Sequence, residues 1–217
     1  ALATVPVRGT MVRALTPRAR ALMAAYGMQA TDMTELGATL QKLQHDPSVN
    51  CVLLDIDSPG GTVNGTPELA AMVRSLSREK YVYAYTAGQC CSAAYWIASQ
   101  CDGIYAAPSS RVGSIGVLLP VTDSSALYDK LGLKVEVFSA GKYKGAGVDG
   151  TSLSDEQRAF LQQQVEATWT EFKTAATRRR AIAPEDMEGQ TFHGTVARDK
   201  GMVDACAATL AGVQIKL

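Results

Sequence analysis

The chain has 217 residues, 47% of them hydrophobic, which is enough to bury one sizeable core, and we expect a single domain over residues 1–217. Lysine plus arginine and aspartate plus glutamate balance at 21 each, which excludes the basic field that attracts nucleic acid. No apolar run approaches the roughly 20 residues that span a bilayer. The sequence therefore predicts no nucleic-acid partner and no membrane segment in this chain.

The cysteines and the N-terminus bear on the cellular compartment. Five cysteines without regular spacing argue against a disulfide framework and favour reduced thiols. The N-terminus lacks the features of a signal peptide, so we expect a cytoplasmic protein. Because the chain begins at Ala1 without a Met, this expectation leaves room for a trimmed upstream segment, including a membrane anchor.

Strands and helices alternate along the chain, which predicts the α/β class. Residues 3–7 predict a first strand that ends at Gly9. Apolar residues at helical spacing predict a helix over 32–45. Residues 51–56 form a continuous apolar run of the kind found in buried parallel strands.

The middle of the chain continues the alternation with shorter elements. The pattern predicts helices over 67–76 and 92–99. It predicts strands over 81–85, 102–106 and 114–118.

The last third of the chain predicts one strand and the longest helix. Residues 134–138 alternate as a strand does, and a loop follows to residue 153. The helix begins with Ser154 as N-cap and Gln157 in the capping-box position. Three arginines at 178–180 suit the negative end of the helix dipole, and we expect them to be solvated.

Residues 57–61, Asp-Ser-Pro-Gly-Gly, directly follow the predicted buried strand. The two glycines allow backbone conformations closed to other residues and let a substrate carbonyl approach the main chain. Backbone N–H groups left unpaired in such a loop can stabilise an oxyanion. Taken alone, a Gly-Gly pair after a strand indicates no more than a turn.

Ser92 lies among small residues, and an apolar helical stretch begins immediately after it. This placement leaves the Ala93 N–H free to point at a reacting oxygen. A serine at the start of a helix is also an ordinary N-cap, and that interpretation stays open.

A serine nucleophile needs a base. A lysine serves only when it is neutral, which requires burial or a nearby positive charge. The segment 141–144 supplies Lys142 and Lys144 in a loop, where lysines are usually solvated. The two histidines, His45 and His193, fall at positions typical of structural or surface residues, so a lysine is the readiest activator.

Read together, these segments resemble the signal peptide peptidase A (protease IV) family, which includes capsid-maturation proteases of tailed phages. The resemblance covers nearly the whole chain. It rests on the order and spacing of motifs that are each modest, and these are Val-Pro-Val-Arg-Gly at 5–9, Asp-Pro-Ser-Val at 46–49, the 53–61 segment ending in Ser-Pro-Gly-Gly, Ser-Ala-Ala-Tyr at 92–95, Val-Gly-Ser-Ile-Gly-Val at 112–117 and Ala-Gly-Lys-Tyr-Lys at 140–144.

The resemblance implies a role for each matched residue. Ser92 corresponds to the nucleophile and Lys144 to the general base, with Lys142 as a neighbour two residues early. Ser114 corresponds to a serine that orients the lysine. Gly61 corresponds to an oxyanion-hole donor, and the Ala93 N–H is its partner.

The resemblance also implies a fold and an assembly. The fold is the Clp protease/crotonase type, a spiral of ββα units with a helical C-terminal region. The implied activity is that of a serine endopeptidase that needs no cofactor. Its implied substrates are unfolded proteins, signal peptides, or capsid and scaffold proteins. The family forms homo-oligomeric rings in which the serine and the lysine can come from adjacent protomers.

Two other classes and one ambiguity within the family stay open. A crotonase-type enzyme acting on acyl-CoA would share the glycine loop, and a non-catalytic assembly protein could keep the same fold. Within the family, Ser-Ala-Ala-Tyr at 92–95 is closer to the phage branch than to the Ser-Gly-Gly-Tyr of many bacterial members.

Overall fold

A computed structural model describes residues 1–214 of the chain. Ten strands lie within that range. In chain order they are β1 Leu2–Arg8, β2 Thr10–Val12, β3 Ala30–Asp32, β4 Cys51–Asp57, β5 Tyr81–Thr86, β6 Gln89–Cys91, β7 Gly103–Ala106, β8 Arg111–Gly113, β9 Thr191–His193 and β10 Ala205–Cys206.

Eight α-helices accompany the strands within residues 1–214. They are α1 Pro17–Ala25, α2 Met33–His45, α3 Thr66–Leu76, α4 Ala93–Ala98, α5 Ser125–Lys130, α6 Asp155–Ala176, α7 Gly194–Asp199 and α8 Leu210–Gln214. A single 3₁₀ turn, Pro184–Asp186, precedes β9.

The central sheet has five strands in the order β1-β4-β5-β7-β10, and each neighbouring pair is parallel. Its middle strand pairs are apolar on both faces, as expected where helices cover a parallel sheet. Along β4, Val52, Leu54 and Ile56 face the main core, whereas Leu53 faces a smaller cluster with Tyr85 and Val213. This sheet is the scaffold on which the candidate site is built.

A second sheet of three short strands, in the order β6-β8-β9, extends this scaffold. Strands β6 and β8 are parallel and β9 is antiparallel to β8. An isolated parallel bridge between Ser58 and Cys90 connects the end of β4 to β6. The carboxyl ends of β4, β6 and β8 therefore lie side by side.

Contacts within the described residues divide the chain into two compact units. The first comprises Ala1–Gly116 and the described residues from Glu171 onward, and it contains both sheets. The second is Val117–Thr170, which contains α5 and the first part of α6. The single domain expected over residues 1–217 stays a prediction.

Most of the predicted elements of the first unit are confirmed. Helix α2 ends at His45 as expected, and Asp32 is its N-cap, accepting hydrogen bonds from the Thr34 and Glu35 N–H groups. Strand β4 is buried and parallel to both neighbours, as its apolar run predicts. The α/β class is thus confirmed in the form of a parallel sheet with helices.

Two predicted strands are wrong. The strand expected over 114–118 is displaced, because β8 ends at Gly113, where the backbone turns to φ +115° and then +52° at Ser114. Residues 134–138 form no strand, although their side chains alternate. Phe138 is 92% exposed, and a strand needs a partner for its backbone groups, which this segment lacks within residues 1–214.

Helix α6 begins as predicted, and of the three arginines after it Arg178 and Arg179 are exposed as expected, whereas Arg180 is not. The Ser154 N–H donates to the Gln157 side chain and the Gln157 N–H donates to Ser154 Oγ, which completes the capping box. Arg180, expected to be solvated, is buried instead. It forms an ion pair with Asp204 at 2.9 Å and donates to the Ser99 carbonyl at 2.8 Å. It therefore ties the end of α4 to the C-terminal segment.

Candidate active site

Ser92 occupies a sharp turn between strand β6 and helix α4. Its backbone angles are φ +52° and ψ −125°, a region that non-glycine residues avoid and that costs about 1–3 kcal/mol. Its side chain makes no capping hydrogen bond to α4, so the ordinary N-cap interpretation is wrong. Ser92 is partly exposed, and its hydroxyl makes no hydrogen bond within residues 1–214. A strained serine of this kind between a strand and a helix has the geometry of a nucleophile elbow.

Two backbone donors expected for an oxyanion hole are unengaged. Within residues 1–214, neither the Gly61 N–H nor the Ala93 N–H donates a hydrogen bond. Ala93 directly follows Ser92 and is the first residue of α4. Such N–H groups can bind the negative oxygen of a tetrahedral intermediate.

The glycine loop packs directly against Ser92. A Cβ placed on Gly60 would lie 2.6 Å from Ser92 Cβ and 3.0 Å from the Ala93 nitrogen, and Gly60 has φ +101°. A Cβ on Gly61 would lie 1.8 Å from the Met11 carbonyl oxygen. Both positions therefore require glycine, and the loop closes to within van der Waals distance of the strained serine.

Ser114 follows β8 just as Ser92 follows β6. The two strands pair Cys91 with Gly113, and the Ser92 N–H donates to the Gly113 carbonyl at 2.9 Å. Within residues 1–214, Ser92 and Ser114 are the two non-glycine residues with positive φ. The residue before β9 supports the second serine, because the Ser114 N–H donates to the Gln190 carbonyl at 2.6 Å. Both serines thus end adjacent parallel strands.

Lys144 lies in the second unit. It is exposed, in a turn closed by a hydrogen bond from its own N–H to the Gly141 carbonyl at 3.1 Å. Of the residues expected at the site, Ser92, Ser114, Gly61 and Ala93 belong to the first unit.

Lys142 differs from Lys144 in its partners. Its ammonium pairs with Glu156 at 2.8 Å, and the hydrogen bond and charge of that carboxylate raise the pKa of Lys142 above its usual value. Because a raised pKa favours the charged form, Lys142 is poorly suited to accept a proton.

The histidines lie away from the strand ends that carry the serines. His45 ends α2, is exposed, and its Nδ1 lies 2.8 Å from the Gln41 carbonyl oxygen. His193 is exposed, and in the antiparallel register of β8 and β9 it lies opposite Arg111, at the end of β8 farther from Ser114. Neither histidine is thus placed beside Ser92.

The two cysteines before Ser92 are buried free thiols. Burial raises the pKa of Cys90 well above its usual value and raises the pKa of Cys91 as well. Both therefore stay protonated near neutral pH, and a thiol is a poor nucleophile compared with a thiolate. They contribute to packing rather than to a second nucleophilic site.

Ser58 lies in the glycine motif at 57–61, but the motif by itself assigns this residue no role. Its side chain is fully buried at the point where β4 meets the glycine loop. The available signal was a polar residue immediately after a buried strand, a position that needs hydrogen-bond partners inside the fold.

The described part of the chain offers neither a metal site nor a membrane-spanning helix. Among residues 1–214, no cluster of three or more His, Cys, Asp or Glu side chains could hold a metal ion. No helix in that range is long and apolar enough to cross a bilayer.

Comparison with known proteins identifies the family. Residues 74–211 match the model of peptidase family S49. A putative protease of Methanocaldococcus jannaschii is 34% identical over 169 residues, covering 76% of this chain and 54% of the relative. The chain therefore belongs to peptidase family S49.

Relatives from phages and bacteria extend the comparison. The capsid assembly protease C of Escherichia phage lambda is 31% identical over 206 residues, covering 94% of this chain and 46% of the relative. A putative signal peptide peptidase SppA of Enterococcus faecium is 27% identical over 170 residues, covering 76% of this chain and 49% of the relative. The chain spans about half the length of these relatives.

Proposed function

We propose that this chain is a serine endopeptidase in which Ser92 is the nucleophile and Lys144 the general base. The observation that carries the proposal is the strained turn at Ser92, whose hydroxyl makes no hydrogen bond within residues 1–214. The unengaged Ala93 N–H follows it directly, and Gly60 of the loop that carries the unengaged Gly61 N–H packs against it. Backbone strain of this kind persists where the surrounding structure enforces it, and it clusters at active sites. Membership of a peptidase family supports acyl transfer over the acyl-CoA and assembly alternatives.

In the proposed mechanism, neutral Lys144 removes the proton from Ser92, whose oxygen attacks the carbonyl carbon of the scissile peptide. The Gly61 and Ala93 N–H groups bind the resulting oxyanion. Lys144 then gives its proton to the leaving amine, and water releases the acyl group by the reverse sequence. In this mechanism, Ser114 orients the amine of Lys144.

Lysine catalysis requires an environment that the exposed turn at Lys144 does not supply in one chain. We propose that a homo-oligomeric ring supplies it, with Ser92 and Lys144 meeting in the assembled form. Support comes from the apolar surface of the second unit, where Leu118 is 81% exposed and Phe138 is 92% exposed. Covering such side chains would remove water from the segment that carries the lysine.

The same proposal covers fold and substrate. We propose that both units form one peptidase domain of the Clp protease/crotonase type, and that the substrates are unfolded, signal-peptide or capsid and scaffold proteins. The names of the phage relative, a capsid assembly protease, and of the bacterial relative, a signal peptide peptidase, support these two substrate classes. A capsid substrate would place the enzyme in the cytoplasm of an infected bacterium.

The test is digestion of unfolded casein by the purified oligomer, followed by mass spectrometry. Ser92→Ala and Lys144→Ala should each lower kcat by at least about 10³-fold, because nucleophile and base act as a unit. The matched control is Lys142→Ala. It removes an exposed ion pair with Glu156, so activity should stay within about threefold of wild type. Activity that survives Lys144→Ala but not Lys142→Ala would exchange the roles of the two lysines.

Mixing the two inactive variants tests the sharing of the site between protomers. If serine and lysine come from adjacent protomers, rings assembled from both Ser92→Ala and Lys144→Ala chains should regain part of the activity. Mixed rings that stay inactive would place both residues of each site in one chain. Casein that remains intact with folded wild-type oligomer, together with no labelling of Ser92 by a fluorophosphonate, would reject the proposed function.

A further inference from the structure

Ser58 is a fully buried serine at the junction of strand β4 and the glycine loop. A buried hydroxyl is expected to have hydrogen-bond partners, and both of its partners are main-chain groups. Its Oγ donates to the Gly9 carbonyl at 2.6 Å and accepts from the Gly60 N–H at 3.1 Å. The side chain thus joins the end of β1 to the loop that packs against Ser92.

The main chain of Ser58 reaches the strand that carries the nucleophile. Its N–H donates to the Gln89 carbonyl at 2.8 Å, and its carbonyl accepts from the Cys91 N–H at 3.2 Å. One residue therefore holds the glycine loop through its side chain and strand β6 through its backbone. Any shift of Ser58 would change the position of the loop relative to Ser92.

The hydrogen bonds of Gly60 determine the direction of the next N–H group. The Gly60 carbonyl accepts from the Met11 N–H at 2.9 Å. The peptide bond between Gly60 and Gly61 is trans, so its carbonyl and N–H point in opposite directions. The Gly61 N–H therefore points away from Met11, and the Ser58 hydroxyl fixes the other side of Gly60 at its unusual φ of +101°.

We propose that Ser58 is a positioning residue that holds the Gly61 N–H in the direction needed to bind the oxyanion. This inference rests on the proposed peptidase function. A donor helps catalysis when it is already aimed at the place where charge develops, and a mobile donor loses much of that benefit. Loss of the Ser58 hydroxyl should therefore weaken binding of the transition state more than binding of the substrate.

The experiment compares Ser58→Ala with Ser99→Ala in the full chain. Ser99 is an equally buried serine whose hydroxyl also donates once, to the Trp96 carbonyl at 2.6 Å, and accepts once, from Gln100 Nε2 at 2.8 Å. Ser58→Ala should lower kcat about 10- to 100-fold with KM within about threefold, since one donor of the hole is loosened rather than removed. Ser99→Ala should leave kcat within about twofold of wild type once the folded fraction is matched.

Two further measurements separate positioning from general damage. Affinity for a peptide aldehyde, which forms a tetrahedral adduct, should fall by the same factor as kcat/KM in Ser58→Ala. Amide hydrogen exchange over residues 58–62 should become faster in Ser58→Ala and stay unchanged in Ser99→Ala, because Gly60 loses its acceptor. If Ser58→Ala does not fold, Ser58→Cys replaces it, and its weaker hydrogen bonds should give an intermediate kcat.

The outcomes distinguish this inference from the proposed function. If Ser92→Ala keeps the activity of the wild type, the proposed function is rejected. Hydrogen exchange in Ser58→Ala would still decide whether Ser58 holds the loop. Unchanged exchange in Ser58→Ala would overturn the inference. An unchanged kcat, or an equal loss of kcat in Ser58→Ala and Ser99→Ala, would overturn it as well.

Discussion

The regions around Ser92 and Lys144 are built in different ways. Ser92 follows a paired strand, is followed by a buried helix, and is contacted by Gly60 of a second loop. Lys144 lies in an exposed turn whose neighbour Lys142 is held by an exposed ion pair. The comparison indicates that the fold of one chain fixes the proposed nucleophile, whereas the surroundings of the proposed base depend on the assembly that we propose.

Helix α6 carries the same contrast in its aromatic side chains. Phe172 stacks on Trp96 with ring centroids 4.6 Å apart, and both rings are buried. Phe160 stacks on Tyr143 at the same separation, yet these two rings are 37% and 42% exposed. Equal separations between the ring centroids therefore accompany very different burial in the two units.

The largest effect is expected from a methyl group between the glycine loop and Ser92. In Gly60→Ala, the new Cβ would lie 2.6 Å from Ser92 Cβ and 2.8 Å from the Cys91 carbonyl oxygen. Either the loop or Ser92 must move, and a displacement of about 1 Å at reacting groups can cost on the order of 10²-fold in rate. We expect kcat/KM on a casein-derived peptide to fall by at least that factor.

Gly132→Ala is the matched control in the second unit. Gly132 also has a positive φ, +68°, but nothing lies within 4 Å of an added Cβ. Only the backbone strain of about 1 kcal/mol should appear, as a lower unfolding midpoint with nearly unchanged kcat/KM. Wild-type activity in Gly60→Ala would contradict the prediction, because it would show that the close contact between the glycine loop and Ser92 does not matter for turnover.

An intermediate effect is expected from the aromatic pairs. Phe172→Ala should lower the free energy of unfolding by about 3–5 kcal/mol, because it opens a cavity beneath Trp96. Phe160→Ala should cost about 1 kcal/mol, since much of the ring already contacts water. Urea denaturation of both variants measures the difference.

The second variant also probes the assembly. If oligomer contacts cover the Tyr143–Phe160 pair, Phe160→Ala should shift the oligomer toward smaller species in analytical ultracentrifugation. The folded fraction of Phe172→Ala should keep the oligomer size of the wild type. Equal unfolding costs for the two variants would contradict the contrast between the units.

The smallest effect is expected from pH. Burial alone would raise the pKa of Asp32, but hydrogen bonds from the Leu15, Glu35 and Thr34 N–H groups and the charge of Arg20 outweigh it, so the net pKa is lowered. Its stabilising contribution is therefore complete above the unfolded pKa of about 4 and is lost as pH falls through the lower folded pKa. Asp32→Asn should remove that part of the acid sensitivity in thermal unfolding between about pH 5 and 2.

The second unit supplies the comparison for this effect. The hydrogen bond from the Ser125 hydroxyl is the main reason that the pKa of Asp123 is lowered. Asp123 is exposed and supports the start of the short helix α5, so Asp123→Asn should change the acid sensitivity less than Asp32→Asn does. A larger change from Asp123→Asn would mean that the second unit limits acid stability.

The sequence predicted those parts of the fold that local pattern and burial specify together. The apolar run of β4, the N-cap at Asp32 and the capping box at Ser154 each carry their own signal and are present. Residues 134–138 carried a strand pattern without a partner strand, and a pattern cannot reveal that absence. Arg180 was missed because its partner, Asp204, is distant in sequence.

The site divides along the same line. Small residues and a following helix pointed to the turn at Ser92, and resemblance to a family pointed to Ser114, Gly61 and Lys144. Positive φ at two serines could not be predicted, because serine usually avoids that region and tertiary contacts impose it here. The hydrogen bonds of Ser58 depend on three separate segments, so no local spacing announces them.

The matched register of β6 and β8 limits how this sequence can change in length. A residue inserted into either strand would shift the pairing register by one, so that Ser92 and Ser114 would no longer follow paired residues. The side chains after the insertion would also point to the opposite face of the sheet. A residue inserted at the exposed positions 108–109, before β8 begins, would leave that register intact. Insertions and deletions between the two serines in related sequences should therefore occur at this turn, whereas the number of residues in each strand should stay the same.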